Sequence, residues 1–241
     1  MSKKISDSIN SRMIHYETSS FANLPGNSKT PYILCVGANE SELDAFMQDN
    51  NIIDKCENAE LYNSMVDAAY NCIERIPGAV CCFVTFDAAY SCIMNTTEHR
   101  KFSNYITYAS SLMTMEFNNA FQGNTYLTFN ASLVNLPDTF EVKNYFIWRQ
   151  IKHLRTKVYR FLQSIGISKR EDNNQIVPFD ELLKIAEANT DWATIGNEYK
   201  NGVFIRRYQM PNEISLCDDV PPLFGTKEGA DYIKDAIKMG N

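Results

Sequence analysis

The chain has 241 residues and a formal net charge of −6, with 44% hydrophobic and 22% charged residues. This is the composition of a globular protein and excludes a disordered or fibrous one. A chain of this length buries a sizeable core unaided. Its acidic balance argues against wholesale coating of a polyanion, which needs clustered lysines and arginines. The longest apolar run, around Ala79–Val84, is far too short to span a bilayer. The opening Met1-Ser-Lys-Lys-Ile-Ser-Asp has neither the apolar segment nor the cleavage site of a secretory signal. A cytoplasmic, intracellular protein with no membrane partner is expected.

In chain order, residues 1–30 are rich in Ser, Asn and Lys and show no sustained period, the pattern of a flexible or partner-ordered N-terminal arm. Residues 32–36 form a buried strand stopped by Gly37. Leu61, Met65, Ala68, Ala69, Cys72 and Ile76 recur at helical spacing over 58–76, and Pro77-Gly78 ends that helix. Two β-like runs, 79–86 and 90–95, separated by Asp87-Ala88-Ala89, predict a hairpin. A second helix follows over 98–121, then a strand over 125–136 closed by Pro137-Asp138. A long helix is expected over 142–165, with Ile147, Ile151, Leu154, Val158, Phe161 and Ile165 as its apolar stripe. A helix at 180–188, a strand at 202–210, a Pro-containing loop through 216–224 and an amphipathic helix at 227–239 complete the chain.

Strand, helix, strand, strand, helix, strand is the order of a split β-α-β unit. The fold class expected is α+β: a ferredoxin-like, palm-type antiparallel sheet with helices packed on it and a C-terminal helical and strand extension. Residues 31–241 are read as a single domain. Polymerase palms, nucleotide cyclases and plain binding domains all use this topology, so it assigns no function.

Of seven cysteines, Cys35, Cys81, Cys82 and Cys92 lie in strand-like apolar runs, and none forms a Cys-x-x-Cys pair. A thiol in such a run acts as a small buried hydrophobe, and neither zinc nor a disulfide is indicated. His15, His99 and His153 have no neighbours that build a nucleophilic constellation. Asp54, Glu57 and Glu60, near a helix start, are explained by the helix dipole.

The segment from Phe129 through Pro137 to Asn144-Tyr145-x-x-Trp148-Arg149-Gln150 resembles the tRNA-histidine guanylyltransferase family. Its members read Phe-Asp-Gly-Arg, a strand ending in Pro, then (Asp/Asn)-Tyr-x-x-Trp-Arg-Gln. Tyr199-Lys-Asn-Gly202 is similar to the family's late Tyr-Arg-Lys-Gly, and the likeness covers about 30–206. The resemblance implies a palm that adds a nucleotide to tRNA 5′ ends by phosphoryl transfer with two Mg²⁺ ions. It also implies self-association as a homo-oligomer. Hard cations need carboxylate oxygens at the strand ends. The family supplies them from Asp-Gly-Arg after the first strand and Ser-Asp-Glu in the hairpin.

At those positions this chain departs. The first carboxylate position falls on Gly37, followed by Ala38 and Asn39, and the hairpin pair falls on Ala88 and Ala89. Asp87 is the residual carboxylate, one place early and therefore expected to face away from its neighbours' site unless a bulge re-aims it. The later Asp-Gly-Arg is Asn130-Ala131-Ser132, and the family's His-x-Asn-Asn is Leu154-Arg155-Thr156-Lys157.

These departures lead to a reading as a non-catalytic guanylyltransferase-like protein, a pseudoenzyme without a bound cofactor, acting as an adaptor for another protein. The alternatives are an active or residual Mg-dependent nucleotidyltransferase on tRNA, or a nucleotide- or RNA-binding protein without chemistry. Candidate nucleotide or RNA contacts are His99, Arg100, Lys101 and Ser103 at a helix start, and Arg149, Lys152, Arg155 and Lys157 along the long helix. The same helix cations also fit a solvated face with Arg149 tied into a network beside Trp148, which the acidic total favours. Trp148 and Tyr145 read as core residues before base platforms.

Overall fold

The computed structural model describes residues 8–20, 30–52, 58–94, 102–167, 177–209 and 214–239. Strands β1 (Tyr32–Ala38), β2 (Ala79–Val84), β3 (Ala88–Ile93) and β4 (Phe129–Asn135) pair antiparallel in the order β4-β1-β3-β2. This is the split β-α-β arrangement expected from the element order. Strand β5 (Val203–Gln209) pairs with the free edge of β2, and β6 (Ile214–Asp219) pairs outside it. The mixed architecture with an antiparallel sheet agrees with the α+β expectation.

Side-chain alternation along the strands divides the core between the two faces. Tyr32, Leu34 and Val36 pack with Leu61, Met65 and Ala69 of α3 (Ala59–Arg75) and with Met113 and Phe117 of α4 (Phe102–Ala120). Ile33, Phe83 and Cys92 point the other way, onto Val142, Tyr145 and Phe146 of α5 (Thr139–Ser164) and Ile233 and Ala236 of α9 (Lys227–Met239). Cover on both faces is why β2 reads as an unbroken apolar run. The far end of α5 builds a satellite core, in which Val158 and Leu162 meet Leu182 of α6 (Phe179–Glu187) and Trp192 of α7 (Thr190–Thr194). Cys72, Cys81, Cys82 and Cys92 are buried free thiols. Among the described residues no helix is long and apolar enough to cross a membrane.

Three segments differ from the sequence reading. Ile9–Ser20, expected within an N-terminal arm, is helix α1, held on the body of the chain by buried Met13 and by Trp148 Nε1 donating to Asn10 Oδ1 at 2.9 Å. Its anchors are spread among polar residues, so composition conceals them. Glu40–Asp49 forms α2, started by Asn39 Oδ1 accepting the Ser41 N–H at 3.1 Å and docked through Leu43, Phe46 and Met47. Part of 216–224, read as a loop, is β6, and the buried Phe224 ring anchors the approach to α9.

The buried face of α5 is also rotated from the expected stripe: Ile151 is 40% exposed and Ile165 38%, while Gln150 and His153 are buried. Both polar side chains are hydrogen-bonded, which is what permits their burial. Gln150 Nε2 donates to the carbonyls of Asn201 and Pro222, at 3.2 Å each, and its Oε1 accepts the Phe224 N–H at 2.6 Å. His153 Nε2 lies 2.9 Å from the Tyr199 carbonyl in α8 (Asn197–Asn201), which only accepts, so the proton sits on Nε2. Burial, reinforced by the nearby charges of Lys157 and Arg160, pushes the His153 pKa down to about 3, against the opposing Tyr199 bond.

With a folded pKa of about 3 against 6.5 when exposed, the unfolded chain takes up this proton first. The stability that neutral His153 supports is complete above pH 6.5 and is lost as pH falls toward 3, at up to ~1.4 kcal/mol per pH unit. In urea unfolding, wild type should lose up to about 2 kcal/mol more than His153→Gln between pH 6.5 and 5.0. Parallel losses in the two proteins would refute the assignment.

Candidate functional site

Across the sheet, on the face that α5 covers, the register sets Asn130 of β4 opposite Gly37 of β1, and Gly37 opposite Ala88 of β3. The three positions at which the resemblance implies acidic motifs are thus brought together as one row, and all three side chains are uncharged. The strands approach closely there. A Cβ placed on Gly37 would lie 3.2 Å from Ala88 Cβ and 3.3 Å from the Asp87 carbonyl oxygen, so a side chain there would need both neighbours to give by a few tenths of an ångström. Ala89 points into the opposite core, toward α3 and α4.

Asp87 does not face away as expected, because it lies in the β2–β3 turn, where the alternation of a pleated strand no longer applies. The Thr85 hydroxyl donates to Asp87 Oδ1 at 2.8 Å, and the Thr85 N–H bonds the Ala88 carbonyl at 2.8 Å. That local bonding aims Asp87 into a cleft of about 460 Å³ between the turn and α5. Thr85, Phe86 and Tyr90 line the hairpin side; Arg149, Lys152, Arg155, Thr156 and Tyr159 line the helix side, with His153 behind them.

Arg149 organises the inner wall. Its guanidinium carbon lies 4.4 Å from the Tyr90 ring centroid, 4.6 Å from that of Trp148 and 5.3 Å from that of Tyr145. It pairs with Glu17 of α1, whose carboxylate also accepts the Tyr145 hydroxyl at 2.7 Å. Arg149 Nε donates to the Tyr145 oxygen at 3.0 Å. Lys152 stands over the Trp148 ring at 4.0 Å, and Arg155 over Phe179 at 5.1 Å. Partial desolvation and then the Arg149 charge lower the Lys152 pKa, with Glu17 opposing them. Glu17 neutralises Arg149, while Lys152 and Arg155 have no carboxylate partner among the described residues. The open part of the cleft therefore carries excess positive charge, suited to phosphate or carboxylate oxygens.

A pair of magnesium ions does not fit these residues. Asp87 is the one carboxylate lining the cleft among the described residues; one of its side-chain oxygens accepts Thr85, and its carbonyl accepts the Ala38 N–H at 3.0 Å. Gly37 and Ala88 offer no side-chain oxygen, and Lys152 and Arg155 raise the local potential against a further cation. No group of three or more His, Cys, Asp or Glu among the described residues is placed to share an ion. Of the thiols on this face, Cys35 lies nearest Arg149's network: burial above all pushes its pKa up to about 11, which favours the neutral thiol, 3.1 Å from the Tyr145 hydroxyl.

The expected cationic strip is split by this geometry. Arg149, Lys152 and Arg155 line the cleft, but Lys157 is 3% exposed, its Nζ 5.1 Å from the Phe86 centroid and 5.7 Å from that of Tyr199. Lys157 and His153 are packing groups of α5's buried side and not surface phosphate contacts. His99, Arg100 and Lys101 lie outside the described residues, as do Asp54 and Glu57; Ser103 falls in the first turn of α4. Trp148 and Tyr145 are core, as expected. Sequence reasoning missed Glu17, Thr85 and Tyr159. Trp148-Arg149 was the available signal for Glu17, since a buried guanidinium requires a carboxylate from somewhere in the chain.

No protein-family model matches this sequence, and no curated protein matches it. Solved structures do. A bacterial tRNA(His) guanylyltransferase-like protein in complex with ATP superimposes with a TM-score of 0.70 at 18% identity, covering 95% of this chain and 99% of the other. The corresponding complex with GTP gives 0.70 and 18%, over 96% and 99%. The tRNA(His) guanylyltransferase of Saccharomyces cerevisiae gives 0.56 and 13%, over 75% and 87%. The chain has the palm fold of the tRNA(His) guanylyltransferase-like proteins.

Proposed function

We propose that this chain is a non-catalytic protein built on the guanylyltransferase palm, working inside the cell as an interaction module for another protein. The observation that carries the reading is the uncharged row Asn130–Gly37–Ala88 at the centre of the covered sheet face. Two-metal phosphoryl transfer requires carboxylates that clamp cations beside the attacking and leaving oxygens. Asp87 alone, beside Lys152 and Arg155, is a poor holder for two divalent ions. Purified protein incubated with Mg²⁺, labelled GTP and tRNA is expected to incorporate no label above background. Incorporation that disappears in Asp87→Ala would overturn the reading.

The cleft favours a second reading, binding of a nucleotide or RNA terminus without chemistry. Lys152 and Arg155 face a space of about 460 Å³, and the bacterial proteins of the same fold were captured with ATP and GTP. Fixed cations hold phosphate without a metal. Under this reading, calorimetric titration with GTP gives the same affinity in Mg²⁺ and in EDTA, and Lys152→Glu/Arg155→Glu weakens it about tenfold or more. No heat with GTP or tRNA returns the cleft to the protein-interaction reading.

A further inference from the structure

A second concavity lies on the same face of the sheet, toward the other end of α5. It is a groove of about 450 Å³ between the first turns of α5 and the outer side of α9. Ala230 and the buried Ile237 give it an apolar floor. Phe140 forms one wall and is 59% exposed, an unusual cost for an aromatic ring in the first turn of a long helix. Lys143, Lys234 and Lys238 surround it, with Asp231 as the one carboxylate in the lining. None of these lysines makes a salt bridge among the described residues. A chain of net charge −6 thus gathers three ammonium groups around one exposed ring.

We propose that this groove docks an acidic segment of a partner protein, which seats an aliphatic or aromatic side chain against Phe140 and Ile237. The proposal rests on the interaction-module reading and supplies its surface. Charge complementarity selects the occupant: lysines at the rim recruit carboxylates and fix register, while the apolar floor provides the burial. The volume falls within the roughly 300–1,000 Å³ of ligand pockets. Single-stranded RNA fits less well. No arginine lines the groove for bidentate phosphate contacts. The groove is separate from the cleft, since the nine residues of helix from Lys143 to Lys152 span about 14 Å.

The test uses the full chain and three fluorescein-labelled probes: a short peptide of Asp, Glu and Leu, its Lys-for-acid counterpart, and a single-stranded RNA oligonucleotide. By anisotropy, the acidic peptide should bind wild type, weaken with added salt, and bind at least about tenfold more weakly to Lys234→Glu/Lys238→Glu and to Phe140→Ala. Amide exchange on wild type should show peptide-induced protection over 139–143 and 230–238, a readout that survives should a variant fail to fold. Absence of binding, equal binding by the variants, protection confined to other segments, or RNA binding lost through the same substitutions would overturn the proposal. Label transfer from GTP to tRNA by the same preparations sinks the interaction-module reading itself, whereas a negative peptide result without transfer removes only this groove.

Discussion

A guanidinium held against the apolar face of a sheet must be compensated, and much of this molecule is arranged around doing so for Arg149. Three rings, from Tyr90, Tyr145 and Trp148, surround it, and the carboxylate that reaches it comes from Glu17 in α1. Removing one partner of such a pair strands a charge in a poorly solvated place, at a cost of several kcal/mol. The pairing therefore seats α1 on α5, with Trp148–Asn10 and Arg12–Glu141 at 3.4 Å reinforcing it. An arginine that reads in the sequence as a phosphate contact is already committed, so the cleft beyond it answers to Lys152 and Arg155.

That commitment limits what the cleft can do. Phosphoryl transfer needs charge beside the reacting oxygens and a template that holds attacking and leaving groups in line. Lysine and arginine provide the first. They donate hydrogen bonds, arginine to two oxygens at once, but they do not act as Lewis acids that clamp the attacking and leaving oxygens as metal ions do. A side chain at Gly37 would need Ala88 and the Asp87 carbonyl to give by a few tenths of an ångström. Binding of a phosphate and its transfer thus make different demands on this scaffold.

The fold was legible in the sequence where a hydrophobic period met a strong stop signal. Pro77-Gly78 closes α3 and 227–239 matches α9 to the residue, whereas Asp138, which caps α5 by accepting the Glu141 N–H at 2.9 Å, starts that helix before the expected 142. Gly37 and Ala88 were singled out through the family resemblance alone, and the strand register sets them opposite each other. What stayed hidden was held by polar groups. Periodicity assigns Ile151 to the core and Gln150 to water, whereas the structure buries Gln150 because three backbone groups from distant segments satisfy it. Asp87 escapes the alternation rule through a local hydroxyl bond from Thr85, and α1 is anchored by partners 128 to 138 residues away. Such contacts are tertiary, so no window along the chain displays them.

One helix ends up carrying both candidate surfaces, and its buried side explains why they persist together. Gln150, His153 and Arg149 are satisfied from other elements: Gln150 by the 221–224 segment and the end of α8, His153 by the Tyr199 carbonyl of α8, and Arg149 by α1. Substitutions on the inward side therefore propagate through several tertiary contacts, while Lys143 and Arg155 take no part in them. The inner side of α5 thus holds the tertiary network, while Lys143 lines one concavity and Lys152 and Arg155 the other. The cations that line the two concavities give them positive potential within an acidic chain, which suits carboxylate or phosphate oxygens.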